Sequence, residues 1–239
     1  QPKTDDGRLT QYNLSAGYQF KNRSALMGGV RYLGGLTVPV TGTHGEAGSI
    51  SPYNIALDLG YSFSVTPEIA VYATTTYARD HAATHADAWA FSVGAGYQKA
   101  FSLSPALPTR LTFGARLMDF GKSVKFDDTG IPQSLPTSVV LGGDWKADIA
   151  RQHAVTYALS YRYFTPKEAH ETLLCTGLEY TYRQMVSARI GYRHADKGSD
   201  ALTFGAGGAL GGIRLDVAFH HAFASYGMNT FTVGLGYAF

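Results

Sequence analysis

The sequence is poor in charge: Asp, Glu, Lys and Arg make up 16% of its 239 residues, against roughly 25% in soluble domains. It has no run of the ~18 apolar residues that a membrane-spanning helix needs. Its only cysteine, Cys175, excludes an internal disulfide, and its formal net charge of +2 is too small to indicate nucleic acid as a partner. These absences argue against both an ordinary soluble domain and a helical membrane protein.

A catalytic signature is also missing from the sequence. Acyl-transfer enzymes need a nucleophile and a base oriented by a third group, and no serine is selected by such a pattern. His220 and His221 are adjacent, so they lie on opposite faces of a strand and cannot serve one site. His81 and His85 lie near two aspartates, but loop residues of this kind are far more often solvated than bound to metal. We therefore predict a protein that is not an enzyme and has no cofactor and no metal site.

What the sequence does have is strict two-residue alternation, seen most clearly in residues 229–239. Large apolar residues occupy every second position there, with threonine, glycine and alanine between them. Side chains of a strand alternate between its two faces. One face is therefore apolar and ends in aromatic residues, and the other is small and polar. This is the pattern of a transmembrane barrel strand, which has lipid on one side and a wet lumen on the other.

The same pattern recurs along the chain at lengths that suit tilted membrane strands of ~9 to 11 residues. It predicts an all-β fold: a transmembrane, antiparallel, up-and-down barrel in the bacterial outer membrane, with lipid around it. About thirteen strands are expected, near residues 10–20, 24–34, 50–63, 69–79, 88–99, 109–119, 137–147, 153–163, 171–182, 185–194, 201–210, 213–222 and 229–239.

The connections between these strands alternate between short turns and longer polar loops, as in outer-membrane barrels. The longest connection on the short-turn side is predicted at residues 100–108. Bacterial single-chain barrels have an even number of strands. We therefore expect residues 1–239 to form one barrel domain of about fourteen strands, whose first strand and N-terminal hatch precede this sequence.

Charged residues on the polar face are expected to form a network that lines the lumen. Facing residues of neighbouring strands approach within ~5 Å, so opposite charges can pair across the sheet. Such pairs fill the lumen and fix the register, or they form an electrostatic path or grip a ligand. The candidates are Arg31, Asp58, Arg116, Asp144, Arg162, Glu179, Arg189, Arg193, Arg214 and Asp216.

Several segments, taken in order, resemble one known family. They include G-G-V-R-Y (28–32), S-P-Y-N-I-A-L-D-L-G-Y-S (51–62), M-D-F-G-K-S-V-K-F-D-D (118–128), L-P-T-S-V-V-L-G-G (135–143), G-L-E-Y-T-Y (177–182), A-R-I-G-Y-R (188–193), L-T-F-G-A-G (202–207) and L-D-V-A-F (215–219). Their order and spacing resemble the PorV family of Bacteroidetes type IX secretion, within the FadL superfamily of fourteen-stranded barrels. The resemblance implies a shuttle that takes secreted proteins by their C-terminal signal domain from the translocon to the attachment complex.

The alternatives within the same superfamily are the related PorQ branch and a FadL-like transporter of hydrophobic small molecules. The polar and charged inner face argues against a purely apolar channel. Partner binding is expected at the loop 119–136, where two prolines limit the backbone freedom lost on docking. Within it, Phe126, Asp127 and Asp128 are the candidate contact residues, and a lid that packs over the barrel mouth is the competing interpretation of this loop.

Overall fold

The computed structural model describes residues 9–42, 45–82, 84–104, 107–125, 130, 132–150, 152–167, 170–224 and 227–238. Within these residues the chain forms fifteen β-strands, and none of its helices is long and apolar enough to span a membrane. The strands are β1 (Thr10–Gln19), β2 (Ser24–Gly34), β3 (Val38–Gly42), β4 (Gly45–Ile50), β5 (Tyr53–Ser64), β6 (Ile69–His81), β7 (His85–Ser104), β8 (Leu107–Gly121), β9 (Ser138–Ile149), β10 (His153–Phe164), β11 (Thr172–Tyr182), β12 (Val186–Ala195), β13 (Ala201–Leu210), β14 (Ile213–Ala222) and β15 (Thr230–Tyr237).

Thirteen of the described strands form one sheet in chain order, β1-β2-β5 and then β5 to β15 without a crossover. Every pairing whose register is resolved is antiparallel, as between β1 and β2 or β14 and β15. Strands β3 and β4 form a separate two-stranded sheet. In the described residues β1 and β15 stand at the two ends of the order, and the sheet is not closed. The predicted all-β, up-and-down arrangement of about thirteen strands is confirmed.

The chain divides into two compact units. Unit 1 comprises residues 1–95, 116–138 and 165–169, and unit 2 comprises residues 96–115, 139–164 and 170–239. Strands β1 to β6 belong to unit 1, and strands β10 to β15 belong to unit 2.

The burial of side chains is inverted with respect to a soluble protein. Along β5 the large residues Leu57 and Leu59 are 49% and 53% exposed, whereas Ala56, which comes directly before Leu57 and lies on the opposite face, is only 4% exposed. The buried residues of the described chain are small, and Ser138 is the largest side chain that is fully buried. A soluble domain of this size would bury large apolar side chains in its core. The exposed apolar face therefore needs lipid to cover it.

Two of the short turns show why their sequences suit tight hairpins. Arg183 and Gln184 join β11 to β12 with φ of 50° and 57°, and Gly211 and Gly212 join β13 to β14 with φ of 59° and 84°. Two successive left-handed residues make the type I′ turn, whose twist matches that of paired strands. These connections occur where the alternation of the sequence predicts short turns.

The structure corrects the sequence-based prediction in two connections. Residues 35–49, which lie between the predicted strands 24–34 and 50–63 and are therefore expected to form a loop, contain the hairpin β3–β4, with a register shift between Val40 and Thr41. The alternation is too short there to separate a five-residue strand from a loop. Residues 100–108, predicted as a long connection, are mostly strand, because β7 continues to Ser104 and β8 begins at Leu107. The hydroxyl of Thr109 donates to the carbonyl of Phe101 over 2.8 Å and so supports this extension.

Candidate functional site

The apolar face of unit 1 carries a row of neighbouring rings near one end of its strands. The ring centroids of Tyr12 and Tyr32 lie 6.4 Å apart, those of Tyr32 and Tyr53 6.2 Å apart, and those of Tyr53 and His81 5.0 Å apart. These four rings come from β1, β2, β5 and β6. Amphipathic rings at one level of a membrane strand are typical of the lipid–water interface. This end of the strands therefore lies at a membrane boundary.

The polar face of unit 1 carries a tight ion pair between β2 and β5. The guanidinium of Arg31 donates to both carboxylate oxygens of Asp58, at 2.7 and 2.8 Å. The hydroxyl of Thr76 on β6 donates to the same carboxylate over 2.6 Å. A two-pronged pair of this kind fixes the relative position of the strands as well as the charges. The network ties together three neighbouring strands on the wet side of the sheet.

A larger network lies on the polar face of unit 2. Arg189 on β12 donates to Glu179 on β11 and, over 2.7 Å, to Asp216 on β14. Arg214 donates to the other oxygen of Asp216 over 2.6 Å. Two arginines and two carboxylates thus neutralise one another. Side-chain exposures of 30 to 33% at Glu179, Arg189 and Asp216 show that the network is partly shielded from water, whereas Arg214 is 60% exposed.

Glycines of β13 make this network possible, because Arg189 and Asp216 are separated by that whole strand. A Cβ on Gly207 would lie 2.5 Å from Oδ1 of Asp216, 2.7 Å from Oγ of Ser187 and 3.4 Å from Nη1 of Arg189. A Cβ on Gly205 would lie 3.6 Å from Cβ of Arg189. The two glycines leave a saddle across which the guanidinium reaches the carboxylate. Glycine is needed here because neighbouring side chains come close to the backbone of β13, and not because the backbone angle is unusual.

The two networks unite six of the ten residues predicted for the polar network: Arg31, Asp58, Glu179, Arg189, Arg214 and Asp216. Of the others, Arg193 donates twice to the carbonyl of Ser199, over 3.1 and 2.8 Å. The guanidinium of Arg162 lies 4.3 Å from the ring centroid of Phe164. Arg116 on β8 and Asp144 on β9 belong to neither network.

The connection between β12 and β13 is held by Asp200. Its carboxylate accepts hydrogen bonds from the amide of Ala195 (2.8 Å), the hydroxyl of Tyr192 (3.0 Å) and Nδ1 of His194 (3.1 Å). The bond from the Ala195 amide, together with those from the two side chains, lowers the pKa of Asp200 below its usual 3.8. The Arg193 guanidinium donates its hydrogen bonds to the carbonyl of Ser199 in the same connection. This short loop is therefore ordered by its own charges.

The predicted partner-binding loop 119–136 begins at an irregularity in β8. Asp119 has a φ of 54°, and its amide donates to the hydroxyl of Ser92 over 3.1 Å. Further along, Val124 and Gln133 form an antiparallel bridge. The candidate contact residues Phe126, Asp127 and Asp128 lie outside the described residues, so their role stays a prediction.

Two of the histidine and aspartate residues near β6 and β7, Asp87 and His81, contact other groups. Asp87 accepts two bonds from Arg79, at 2.7 and 2.9 Å, and one from the hydroxyl of Tyr77 at 2.9 Å. His81 packs against the ring of Tyr53. In the part of the chain that the structure describes, no three His, Cys, Asp or Glu side chains gather into a group that could hold a metal ion.

One residue of the inner face was missed in the sequence. Met27 of β2 follows the polar register of its strand, yet its side chain is large, apolar and 53% exposed. It faces Gly17 on β1 and Gly60 on β5, which leave it uncovered on both sides. The signal that could have found it was a large apolar residue in a polar register, flanked by glycines in two other strands. That flanking is visible only once the strands are paired.

Comparison with known proteins places the fold. No protein-family model and no curated protein matches the sequence. A crystal structure of the toluene transporter TodX from Pseudomonas putida aligns with a TM-score of 0.53 at 11% identity, covering 93% of this chain and 79% of TodX. A second TodX structure aligns with a TM-score of 0.50 at 13% identity, covering 87% of this chain and 74% of that one. A structure of the CymD monoaromatic hydrocarbon channel aligns with a TM-score of 0.40 at 10% identity, covering 96% and 86% of the two chains.

The two TodX structures and the sheet order together confirm the expected fold class, an all-β, antiparallel transmembrane barrel. At 11 and 13% identity the likeness concerns the path of the backbone and shows the fold alone.

Proposed function

We propose that this chain is an outer-membrane barrel that transports hydrophobic small molecules across the bacterial outer membrane. The observation that carries the proposal is the backbone likeness to a toluene transporter over 93% of the chain. This likeness favours transport over type IX secretion, the function that the sequence resemblance to the PorV family implies. A fold can host several functions, so the proposal needs support from the chain itself.

The side chains support transport in two ways. The exposed apolar face, with its row of rings, places the strands in lipid. Six charged residues of the polar face neutralise one another in two networks, so these networks present little net field to a solute. Met27 adds an apolar contact on that same inner face. An uncharged apolar molecule could therefore pass these two networks without meeting an uncompensated charge.

Uptake of radiolabelled toluene tests the proposal. Cells that produce the chain in their outer membrane should take up toluene faster than cells that lack it. Glycerol uptake should be the same in both, which excludes a simple leak. The chain must be folded in the membrane, as judged by the difference in gel mobility between heated and unheated samples. Equal toluene uptake by cells with and without the folded chain would overturn the proposal.

A second candidate is a component of type IX secretion, as in the PorV family. The charged networks favour it, because an inner face of ion pairs suits an aqueous, protein-handling lumen better than a continuous apolar channel. In that role the chain would bind translocon and attachment-complex proteins and the C-terminal signal domain of secreted cargo. The loop 119–136 would then contribute to the binding surface.

Affinity purification from native membranes distinguishes the two candidates. A secretion component should retain translocon proteins and cargo, whereas a transporter should not. Replacing Phe126, Asp127 and Asp128 together by alanine should then reduce cargo recovery while the barrel still folds. If the folded triple variant recovers as much cargo as the parent chain, the loop is not the binding surface. Loss of both folding and cargo would instead indicate that the loop is a structural lid.

A further inference from the structure

The inner face of unit 1 has an apolar strip that lies, on β5, between Asp58 and Ser62. Across β1, β2, β5 and β6 the aligned residues are Gly17, Met27, Gly60 and Thr74. The row on one side contains Asp58, and the row on the other contains Ser62 and, on β6, Tyr72. Asp58 and Ser62 are four positions apart on β5, so the strip is roughly 13 Å wide along the strand.

Two methyl groups converge above the middle of this strip. A Cβ built on Gly60 would lie 3.1 Å from Cγ2 of Thr74 and 3.3 Å from Cε of Met27. The Met27 side chain therefore leans over Gly60 toward β6 and forms one apolar floor with the Thr74 methyl. Because Gly17 lies opposite Met27 on the other side, the thioether stays open to the inner space.

An aromatic ring extends the floor toward β7. The Tyr72 ring covers Gly94, since a Cβ there would lie 2.5 Å from Cζ and 2.6 Å from Cε1 of that ring. Tyr72 is two residues from Thr74 on β6. The strip thus presents a thioether, a methyl group and a tyrosine ring over backbone that carries no side chains. Among exposed large apolar residues in the described strands β1, β2, β5 and β6, Met27 is the one on the polar face.

We propose that this strip, the Met27 patch (Met27, Gly60, Thr74 and Tyr72), binds a small molecule with a single aromatic ring. Thioether sulfur interacts favourably with aromatic rings, and the Tyr72 ring offers a second, planar contact beside it. On β5 roughly 13 Å separates Asp58 from Ser62, which admits one ring with its van der Waals surface between them. This inference rests on the proposed transport function and names its substrate class.

The test uses the whole chain in lipid nanodiscs with 13C at the methionine methyl groups, and toluene as the probe. A bound ring shifts the Met27 methyl resonance through its ring current. The expected result is a saturable shift at Met27 with none at Met118, Met185 or Met228. The Met27 signal is assigned by its loss in Met27→Leu. Hexane, which has no ring, should not compete for the site.

Variants separate the patch from the fold. Met27→Leu should bind toluene nearly as well as the parent chain, and Met27→Gln, of similar length but polar, should weaken binding about tenfold. Met228→Gln makes the same change at a methionine that is 66% exposed and should leave binding unaltered. Toluene binding in the gel-shifted, folded Met27→Gln variant that equals the parent would overturn the proposal.

The outcomes for the patch and for transport are distinguishable. If cells still take up toluene through the chain while the Met27 methyl does not move, the patch is wrong and the proposed function stands. If the Met27 methyl shifts but uptake equals that of cells without the chain, the site is supported and transport is refuted.

Discussion

The saddle on β13 leads to a quantitative prediction about Gly207→Ala. The added methyl would lie 2.5 Å from Oδ1 of Asp216, so this oxygen must move away from Nη1 of Arg189, to which it is bonded at 2.7 Å. The carboxylate is the free end of a side chain, so it can rotate without moving the backbone. What is lost is the charged hydrogen bond rather than the packing of the sheet.

The magnitude follows from that bond and its exposure. Hydrogen bonds to charged groups contribute about 1.5 to 3 kcal/mol. Both side chains retain close to a third of their exposure, and Asp216 keeps Arg214, so solvent screening reduces the expected loss to about 1 to 1.5 kcal/mol. Replacing glycine by alanine also restricts the unfolded chain, and in any strand this offsets up to about 1 kcal/mol of the lost stability.

Gly234→Ala is the matched control, because Gly234 flanks Asp216 on its other side in the same row of the sheet. A Cβ there would come no closer than 4.0 Å, to Cβ of Asp216. Urea unfolding in lipid vesicles, followed by tryptophan fluorescence, measures both variants. Gly207→Ala should be less stable than Gly234→Ala by about 1 to 1.5 kcal/mol. Equal stability of the two variants would refute the saddle.

Three further predictions follow from other parts of the chain. Leu57→Lys places a charge on the apolar face and should destabilise the barrel in vesicles by about 2 to 4 kcal/mol in the same unfolding assay; a neutral effect would contradict a lipid-facing Leu57. Ser92→Ala removes the acceptor of the Asp119 amide and should lower the free energy of unfolding by about 1 to 2 kcal/mol in the same assay; unchanged stability would contradict a role for this bond in holding β8. Because the folded state lowers the pKa of Asp200 below 3.8, its contribution should be complete above pH 3.8 and lost as the pH falls through the lowered value. Hydrogen exchange of the Ala195 amide should show this loss, and Asp200→Asn should remove the pH dependence.

The fold could be predicted from the sequence because one physical rule governs nearly every strand. Lipid requires an apolar residue at each second position, and the alternation of β5 or β15 shows this without knowledge of the partner strand. The hairpin β3–β4 escaped prediction because strands of five and six residues show too little alternation. The extension of β7 escaped prediction because Lys99 interrupts the apolar face before Phe101 and Leu103 resume it.

The candidate sites could be predicted only in part. Charges on the polar face pointed to ion pairs, but their partners depend on register, which the sequence does not encode locally. Arg189 reaches Asp216 only because Gly207 occupies the strand between them. Likewise the Met27 patch arises from residues in β2, β5 and β6, and becomes visible once Gly60 is paired with Met27. Contacts that span strands require the folded register.

The alternation between a lipid-facing and a lumen-facing side of the sheet can be measured directly along β14. Single spin labels, placed at each position from 213 to 219 in a Cys175→Ser chain reconstituted in lipid, report their exposure to oxygen, which dissolves in lipid, and to a water-soluble nickel complex. The account predicts oxygen access at 213, 215, 217 and 219, and nickel access at 214, 216 and 218, with a period of two residues. Nickel access at every position, or no alternation, would contradict a strand that separates lipid from a wet lumen.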